Sequence, residues 1–258
     1  MTFQLTEPIL VIGLGGVGTR LAEKTKKSLN SDCLMISHDQ NDLTAENSIK
    51  ISTKSVVNPS THLIRGSTLE TSDEIKKNIT NYSTIILMSN LAGKAGTGIG
   101  PIVSKICKQE QKNLLSFAVM PFKFEKERIF QSGIALKRIR QDSQCTIVVD
   151  NDALLDSNPD LTQKQCYDIS NKAIESMVHS LKSSEISDNT NILSTSKTSD
   201  EIEVSLKDSL RMLYEDAPPD SIKRSMLYVY GGSNIPVGVL NTISNITGGT
   251  FDEDSIHV

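Results

Sequence analysis

Two glycine-rich segments, about eighty residues apart, constrain the fold of this 258-residue chain more than any other feature of its sequence. The first runs from Gly13 to Gly18 and the second from Ala92 to Pro101, and together they hold eight of the fifteen glycines. Each follows a short apolar run and precedes a stretch with helical spacing. Glycine lets backbone N–H groups come close to an anion, particularly where a helix begins. Two such turns on one sheet predict a phosphate group held from both sides.

Short β-branched runs alternate with helical patterns before residue 182, which predicts a parallel sheet covered by helices on both faces. The strands are expected at residues 9–13, 33–37, 84–89, 114–119 and 146–149. The helices are expected at residues 17–28, 72–81, 102–111, 126–140 and 162–181. We therefore predict an α/β fold: a Rossmann-like doubly wound parallel sheet, a long central helix, and a shortened α+β C-terminal domain.

The residues after the long helix have a different character. Residues 184–199 are rich in Ser, Asn, Thr and Asp and predict a linker. Beyond them, the patterns predict a helix at 200–214, a strand at 225–230, a helix at 236–246 and the start of a strand at 255–258. A domain of this size is only marginally stable alone, so it is expected to pack on the long helix or on a partner.

Charge and cysteine content argue against several classes of function. The net charge is −4 and no long basic run is present, so nucleic acid is not an expected partner. Cys33, Cys107, Cys145 and Cys166 lie far apart without a C-x-x-C pair, so no metal site is predicted and all four are expected to be reduced, mostly buried thiols. The amino terminus has no signal-like region and no membrane segment, which predicts a cytoplasmic protein.

The first glycine-rich turn alone leaves two classes of enzyme open. NAD-dependent dehydrogenases and the adenylating enzymes that activate ubiquitin-like proteins both use such a turn between strand and helix. In a dehydrogenase, Asp39 would bind the ribose from the end of the second strand. An adenylating enzyme typically has an arginine stretch and paired C-x-x-C motifs, and residues 42–49 contain no arginine. Neither class accounts for the segment from Ala92 to Pro101.

This second segment carries a more specific resemblance. Gly96 to Pro101 resembles the end of the GGGTGTG(S/A)xP signature of the FtsZ/tubulin superfamily. Met120 to Arg128 resembles that family's Pro-Phe-x-Phe-Glu stretch followed by basic residues, and Ile147 to Leu155 resembles its PND(R/K)LL or DNEAL segment. The three motifs stand in the family's order and spacing. On this resemblance, which covers residues 8–182 and only weakly 200–258, the chain is identified as a divergent, archaeal or prokaryotic FtsZ-like member of the superfamily.

The resemblance implies a site for GTP or GDP, with Mg²⁺ entering only through the nucleotide. Backbone N–H groups of both glycine-rich segments would surround the phosphates: Gly15, Gly16, Val17, Gly18 and Thr19 on one side, and Gly93, Lys94, Ala95, Gly96, Thr97 and Gly98 on the other. Glu125 would accept hydrogen bonds from the ribose, and Arg128 would lie near the phosphates. Asn151 and Asn171 would hydrogen-bond the guanine, and Tyr167 would stack on it from one helical turn before Asn171.

Ordinary structural roles are also open for these side chains. Asn151 could cap a helix that begins at Asp152, and Tyr167 could be an amphipathic core residue. Glu125 could favour the dipole of the helix that starts there, and Arg128 could lie on a solvated helix face.

Two departures from the family pattern bear on nucleotide turnover. Lys94 and Ala95 interrupt the second loop, and Lys94 would either contact a phosphate or hinder closure. In the family, an acid on the loop after the central helix of the next subunit orients the attacking water. Glu185, Asp188 and Asp200 lie in or beside that stretch without the family's NxDxxD spacing, so no catalytic residue is assigned. Because phosphoryl transfer depends on positioning, at most a weak GTPase is expected.

The resemblance therefore implies a GTP-binding cytoskeletal protein that self-associates head to tail into filaments under nucleotide control, with a role in cell division. Its partner would be a second copy or a longer FtsZ/tubulin-like relative. The alternatives are a non-hydrolysing nucleotide-binding regulator or co-polymer partner, and an NAD-dependent or adenylating Rossmann enzyme. The implied division of the chain is a guanine-nucleotide-binding domain at 1–160, a central helix at 161–183, a linker or degenerate catalytic loop at 184–199, and a small α+β C-terminal domain at 200–258.

Overall fold

The computed structural model describes residues 2–54, 57–197 and 201–217, together with the single helical positions 238, 241, 243 and 245. The chain forms two compact units. One consists of Met1–Val149 and Val178–Asn191, and the other of Asp150–Met177 and the described residues from Ile192 onward. The first break thus falls at the end of a strand, before the boundary that the sequence predicts at residue 160.

Among the described residues, seven strands form the main sheet. In chain order they are β2 (Ile9–Leu14), β3 (Asp32–Ser37), β4 (Ser48–Lys50), β5 (Thr84–Asn90), β6 (Asn113–Val119), β7 (Cys145–Val149) and β9 (Asn189–Ile192). They lie in the order β4-β3-β2-β5-β6-β7-β9, and the strands from β2 to β7 pair in parallel. Two short strands, β1 (Thr2–Phe3) and β8 (Ile186–Ser187), pair antiparallel in a second sheet. All five strands predicted before residue 182 are present, with their ends displaced by one residue at most.

The described helices are α1 (Gly15–Leu29), α2 (Thr61–Glu70), α3 (Ser72–Ile79), α4 (Lys94–Gln109), α5 (Lys126–Asp142), α6 (Asn151–Ser157), α7 (Gln163–Ser180) and α8 (Ile202–Asp216). A 3₁₀ turn covers Gln40–Asp42. The sequence pattern does not predict the helices α2 and α6 or the short strands β1 and β4, and the stretch predicted as a linker contains β8 and β9. The strands expected at 225–230 and 255–258 lie outside the described residues, whereas the described positions within 236–246 are helical.

The start of α4 is a correction to the sequence-based expectation. The helix begins at Lys94 rather than at residue 102, so most of the second glycine-rich segment is helical rather than an open loop. Pro101 lies inside the helix and has no N–H to give to the carbonyl oxygen of Thr97. Nη2 of Arg65, on α2, donates to that oxygen at 3.3 Å. A side chain of α2, 32 residues earlier in the chain, thus supplies the hydrogen bond that Pro101 cannot make.

The core of the first unit surrounds the sheet. Successive side chains along the central strands point to opposite faces of the sheet, and they are buried on both faces. A parallel sheet with helices on both faces requires this pattern. On one face the strands pack with α2, α3 and α4 through the fully buried Ile64, Ile75 and Ile99. Each such residue stabilises the fold by roughly 1.5–3 kcal/mol relative to an exposed position.

The four cysteines are free and buried, as predicted. Burial raises the pKa of Cys33 to about 11 and those of Cys107 and Cys145 to about 12, and it also raises the pKa of Cys166. Because the thiolate is the reactive form, we expect no labelling of the native protein by iodoacetamide at pH 8 and labelling of all four thiols in denaturant. Intact-protein mass spectrometry measures both, and a label on the native protein would contradict the buried positions.

Candidate functional site

The two glycine-rich segments line one cavity at the carboxyl ends of β2 and β5. Its volume is about 140 Å³. From β2 the chain continues to β3 on one side, whereas β5 pairs with the opposite edge of β2, so the strand order reverses here. Open α/β sheets bind their ligands at this switch point. The lining residues are Leu14, Gly15, Gly16, Val17, His38, Asp42, Asn90, Gly93, Lys94, Ala95 and Gly96.

Glycine is required where the first segment turns from β2 into α1. Gly15 has a φ of +64°, and a Cβ placed on it would lie 2.7 Å from the Cβ of Ala95. Only glycine therefore provides both the backbone conformation and the close approach of the two segments. The N-cap position of α1 is Leu14, which supplies no side-chain cap, so N–H groups of the first turn remain available to an anion. Thr19 is almost fully buried, and its Oγ1 donates to the carbonyl oxygen of Gly16 at 3.3 Å.

Asn90 holds the second segment in place. Its side-chain oxygen accepts from the backbone N–H of Ala92 at 2.9 Å, and its carbonyl oxygen accepts from the N–H of Gly93 at 3.1 Å. Gly93 is the N-cap of α4 and likewise supplies no side-chain cap. A Cβ on Gly96 would collide with the backbone carbonyl of Asn90. Both α1 and α4 thus direct their amino ends, with their partial positive charge, at the same cavity.

Two side chains of the second segment are engaged with the protein itself. Nζ of Lys94 donates to Oδ1 of Asn58 at 2.7 Å and to the carbonyl oxygen of Pro59 at 3.1 Å. Thr97 is buried, and its hydroxyl donates to the carbonyl oxygen of Gly93 at 3.1 Å. Gly18, Thr19, Thr97 and Gly98 belong to the two predicted segments without lining the cavity.

The loop after β3 brings to the cavity two polar residues, His38 and Asp42, that were not predicted to lie there. Asp42 accepts a hydrogen bond of 2.6 Å from Oγ of Ser37. Burial lowers the pKa of His38 against the opposing charges of Asp39 and Asp42, and Nδ1 of His38 has no hydrogen-bond partner among the described residues. Asp39 is exposed and caps the 3₁₀ turn through the N–H of Asn41. The sequence signal that points to Asp42 is its position shortly after the second strand of the sheet, where an acid often faces the ligand.

Glu125 and Arg128 form a pair with each other rather than lining the cavity. Nη1 of Arg128 donates to Oε1 of Glu125 at 2.6 Å, and the other carboxylate oxygen accepts from the N–H of Phe122 at 3.2 Å. The side chain of Glu125 is 13% exposed and that of Arg128 is 58% exposed. The structure therefore brings these two predicted residues together at the start of α5, and their contact with a nucleotide stays a prediction.

The second unit contains the three residues predicted to recognise the base. Asn151, the first residue of α6, is fully buried and accepts from Oγ of Ser170 on α7. Its amide nitrogen and the amide oxygen of Asn171 are buried and have no partner among the described residues. Asp150, rather than Asn151, caps α6. The contact of these two atoms with a base stays a prediction. Tyr167 lies on α7, one helical turn before Asn171.

The predicted acids do not form an evident catalytic arrangement. Oε2 of Glu185 accepts from Oγ1 of Thr2 at 3.0 Å and from Nε2 of Gln4 at 2.6 Å. Oδ1 of Asp188 accepts from the side chain of Asn189 at 3.1 Å. Asp200 lies outside the described residues. Within the described ranges, no group of three or more His, Cys, Asp or Glu could hold a metal ion, and no helix is long and apolar enough to cross a membrane.

A larger cavity, of about 440 Å³, lies at the other end of the strands, next to the amino ends of β5 and β6. Lys112 lines it, but its Nζ donates to the carbonyl oxygens of Thr80 and Tyr82 at 2.7 and 2.8 Å. Tyr82 in turn donates its hydroxyl to Asp32. The smaller cavity is the better candidate site, because ligands of doubly wound sheets bind at the carboxyl ends of the strands.

Comparison with known proteins agrees with this geometry. The model of the Tubulin/FtsZ family, GTPase domain, matches residues 8–159, which is more than half of the chain, so the protein belongs to the Tubulin/FtsZ family. Cell division protein FtsZ 1 of Halobacterium salinarum is 26% identical over 184 residues, which are 66% of this chain and 46% of that protein. Cell division protein FtsZ of Aquifex aeolicus is 30% identical over 101 residues, covering 38% of this chain and 28% of that protein. The chain spans less than half the length of these two relatives.

Solved structures show the same fold at low sequence identity. An FtsZ from M. jannaschii has a TM-score of 0.75 at 18% identity, covering 96% of this chain and 84% of that chain. The TubZ of Clostridium botulinum phage c-st has a TM-score of 0.59 at 15% identity, covering 93% of this chain and 85% of that chain. The predicted membership of the FtsZ/tubulin superfamily and the predicted α/β Rossmann-like fold are both confirmed.

Proposed function

We propose that this protein binds GTP or GDP through the cavity between its two glycine-rich segments and self-associates as a cytoskeletal protein in cell division. The observation that carries the proposal is the meeting of the amino ends of α1 and α4 at one cavity. Each amino end offers N–H groups without a side-chain cap and a partial positive charge. A chain of phosphates, which needs many donors at close range, is the ligand that suits two such ends.

The proposed preference for guanine rests on the second unit. Guanine carries both hydrogen-bond acceptors and N–H donors along its edges. The unpartnered amide nitrogen of Asn151 would donate to the base, and the unpartnered amide oxygen of Asn171 would accept from it. Tyr167 would stack on the ring. Glu125 and Arg128 would bind the ribose and phosphates, exchanging part of their mutual ion pair for the ligand.

Self-association is supported by a relative and by an exposed apolar surface. The solved structure titled FtsZ dimer, empty, from M. jannaschii matches 98% of this chain with a TM-score of 0.71. Phe124 stacks on Phe122 with ring centroids 5.1 Å apart, yet it is 61% exposed. Phe130, on α5, is 75% exposed. Large exposed apolar side chains are candidates for contacts between proteins, and we propose a second copy or a longer relative as the partner.

One observation favours a non-hydrolysing protein as the second candidate. The two carboxylates described within residues 184–197, Glu185 and Asp188, accept hydrogen bonds from the protein. Neither carboxylate has the family's NxDxxD spacing, so no acid that would orient an attacking water is identified among the described residues. The protein would then bind GTP as a regulator or as a partner in a mixed polymer.

Sedimentation of the purified protein with GTP, GDP or ATP tests these proposals, with bound nucleotide and released phosphate measured in the same samples. We expect guanine-specific binding, pelleting that requires GTP, and slow phosphate release at most. Pelleting without phosphate release would establish the non-hydrolysing form. Failure to bind either guanine nucleotide would disprove the proposed function.

A further inference from the structure

The outward face of α5 combines exposed apolar side chains with positive charge. The buried side of the helix consists of Ser132, Ala135 and Ile139. Phe130 and Ile134 lie away from that side and are 75% and 38% exposed. Residues four apart on a helix are neighbours, so these two side chains form one apolar patch. The packing of α5 against the rest of the fold leaves this patch to solvent or to a partner.

Positive charge surrounds the patch. α5 carries five Lys or Arg residues against two acids, in a chain whose net charge is −4. One of the five, Arg128, pairs with Glu125. The other four are exposed and belong to no salt bridge among the described residues: Lys126, Lys137, Arg138 and Arg140. The helix is therefore a local concentration of positive charge that the fold does not neutralise.

The positive region continues onto α2 through Arg65. Burial and the positive charge of Arg138 lower the pKa of the Arg65 guanidinium. Its Nη2 donates to the carbonyl oxygen of Thr97, whereas its Nε is buried without a partner among the described residues. Like charges that lower each other's pKa repel, so an anion bound at this surface would relieve the repulsion.

The shape of this surface favours an extended partner over a small ligand. Neither cavity described above has a lining residue on α5. The unpaired cations run from Lys126 to Arg140, which is about 21 Å along a helix. A bilayer with anionic headgroups presents negative charge over such a length, above an apolar layer that accepts aromatic side chains. A helical peptide, by contrast, is recognised in a groove.

We propose that the outward face of α5 binds peripherally to an anionic lipid surface. Phe130 and Ile134 enter the headgroup region, and Lys137 and Arg140 pair with lipid phosphates. The binding is reversible and weakens with salt, because salt screens surface charges. This inference goes beyond the proposed function and does not require nucleotide. It assigns Phe130 to lipid and leaves Phe124, in the loop before α5, to the contact between copies.

Flotation of the nucleotide-free protein with lipid vesicles tests the proposal, because floating vesicles separate bound protein from any polymer that sediments. One set of vesicles is phosphatidylcholine with about one third phosphatidylglycerol, and the other is phosphatidylcholine alone. The double variant Lys137→Gln/Arg140→Gln removes two charges from the face, and Phe130→Ser removes its aromatic side chain.

Two control variants change exposed side chains of the same kinds elsewhere. Lys24→Gln/Lys27→Gln removes two exposed charges from α1, and Val204→Ser removes an apolar side chain of α8 that is 48% exposed. Circular dichroism establishes that every variant is folded. GTP binding is measured on the same preparations, so that the proposed function is tested separately.

We expect the wild type and both controls to float with the anionic vesicles only, and high salt to abolish the binding. The double variant should partition about 30-fold less and Phe130→Ser about tenfold less. Absence of flotation, or equal flotation with both kinds of vesicle, would overturn the inference and leave the proposed function standing. An equal loss in the α1 control would also overturn it. Binding of polyglutamate without flotation would assign the face to an acidic protein instead of lipid.

Discussion

Replacing Gly96 with alanine is expected to abolish nucleotide binding and to lower the free energy of unfolding by about 1–3 kcal/mol. The added Cβ would collide with the backbone carbonyl of Asn90, which cannot rotate away as a flexible side chain could. That same carbonyl accepts from the N–H of Gly93, so any shift displaces the amino end of α4 from the cavity. The loss of binding therefore follows from local geometry, in addition to the loss of stability.

Gly133→Ala provides the matched control for this prediction. Gly133 is also in a helix, α5, but a Cβ there would meet nothing within 4 Å. Alanine at such a position should raise the free energy of unfolding by about 0.5–1 kcal/mol. Denaturant unfolding and titration with a fluorescent GDP analogue measure both quantities for both variants. If the two substitutions changed stability in the same direction, the close packing of α4 against Asn90 would be wrong.

The strands were predictable because their signal is local. Each central strand is a continuous apolar run, and burial on both faces of a parallel sheet requires that pattern. The glycine-rich turn after β2 was predictable for a similar reason, since the φ of +64° at Gly15 suits glycine above all other residues. The start of α4 was not predictable, because glycine and proline normally argue against a helix. Inside this helix the carbonyl oxygen of Thr97, which Pro101 cannot pair, accepts instead from Arg65, 32 residues away in the chain.

The missed elements share a dependence on distant partners. The buried face of α2 consists of Thr61, Ile64 and Thr68. These positions have helical spacing, but two of them are threonine, so the sequence shows no apolar periodicity there. The strands β8 and β9 are two and four residues long, and β8 takes its pairing from the amino terminus of the chain. Likewise, Asp42 reaches the cavity because the loop after β3 folds back over α1. Only a three-dimensional contact identifies that carboxylate as part of the site, whereas the glycines are recognisable from their pattern in the sequence.

Replacing Asn171 with leucine is expected to weaken GTP binding by about 100-fold or more and to remove the preference for GTP over ATP and ITP. The amide oxygen of Asn171 is buried without a partner among the described residues, so under the proposed function it accepts from an N–H of the base. A site that hydrogen-bonds a group discriminates strongly against a ligand that lacks it, and ITP lacks the 2-amino group of guanine.

Stability separates this effect from a folding defect. Leucine has the same number and branching of side-chain heavy atoms as asparagine, and removing an unpaired buried acceptor does not cost a hydrogen bond in the free protein. We therefore expect the free energy of unfolding of Asn171→Leu to stay within about 0.5 kcal/mol of the wild type. Asn78→Leu, on α3, is the control, because its amide donates only to the carbonyl oxygen of Glu74 on an exposed helix face. Unchanged GTP affinity in Asn171→Leu would exclude this residue from base recognition. An equal loss of GTP affinity in both variants would show that replacing any asparagine with leucine has this effect, and it would not support base recognition by Asn171.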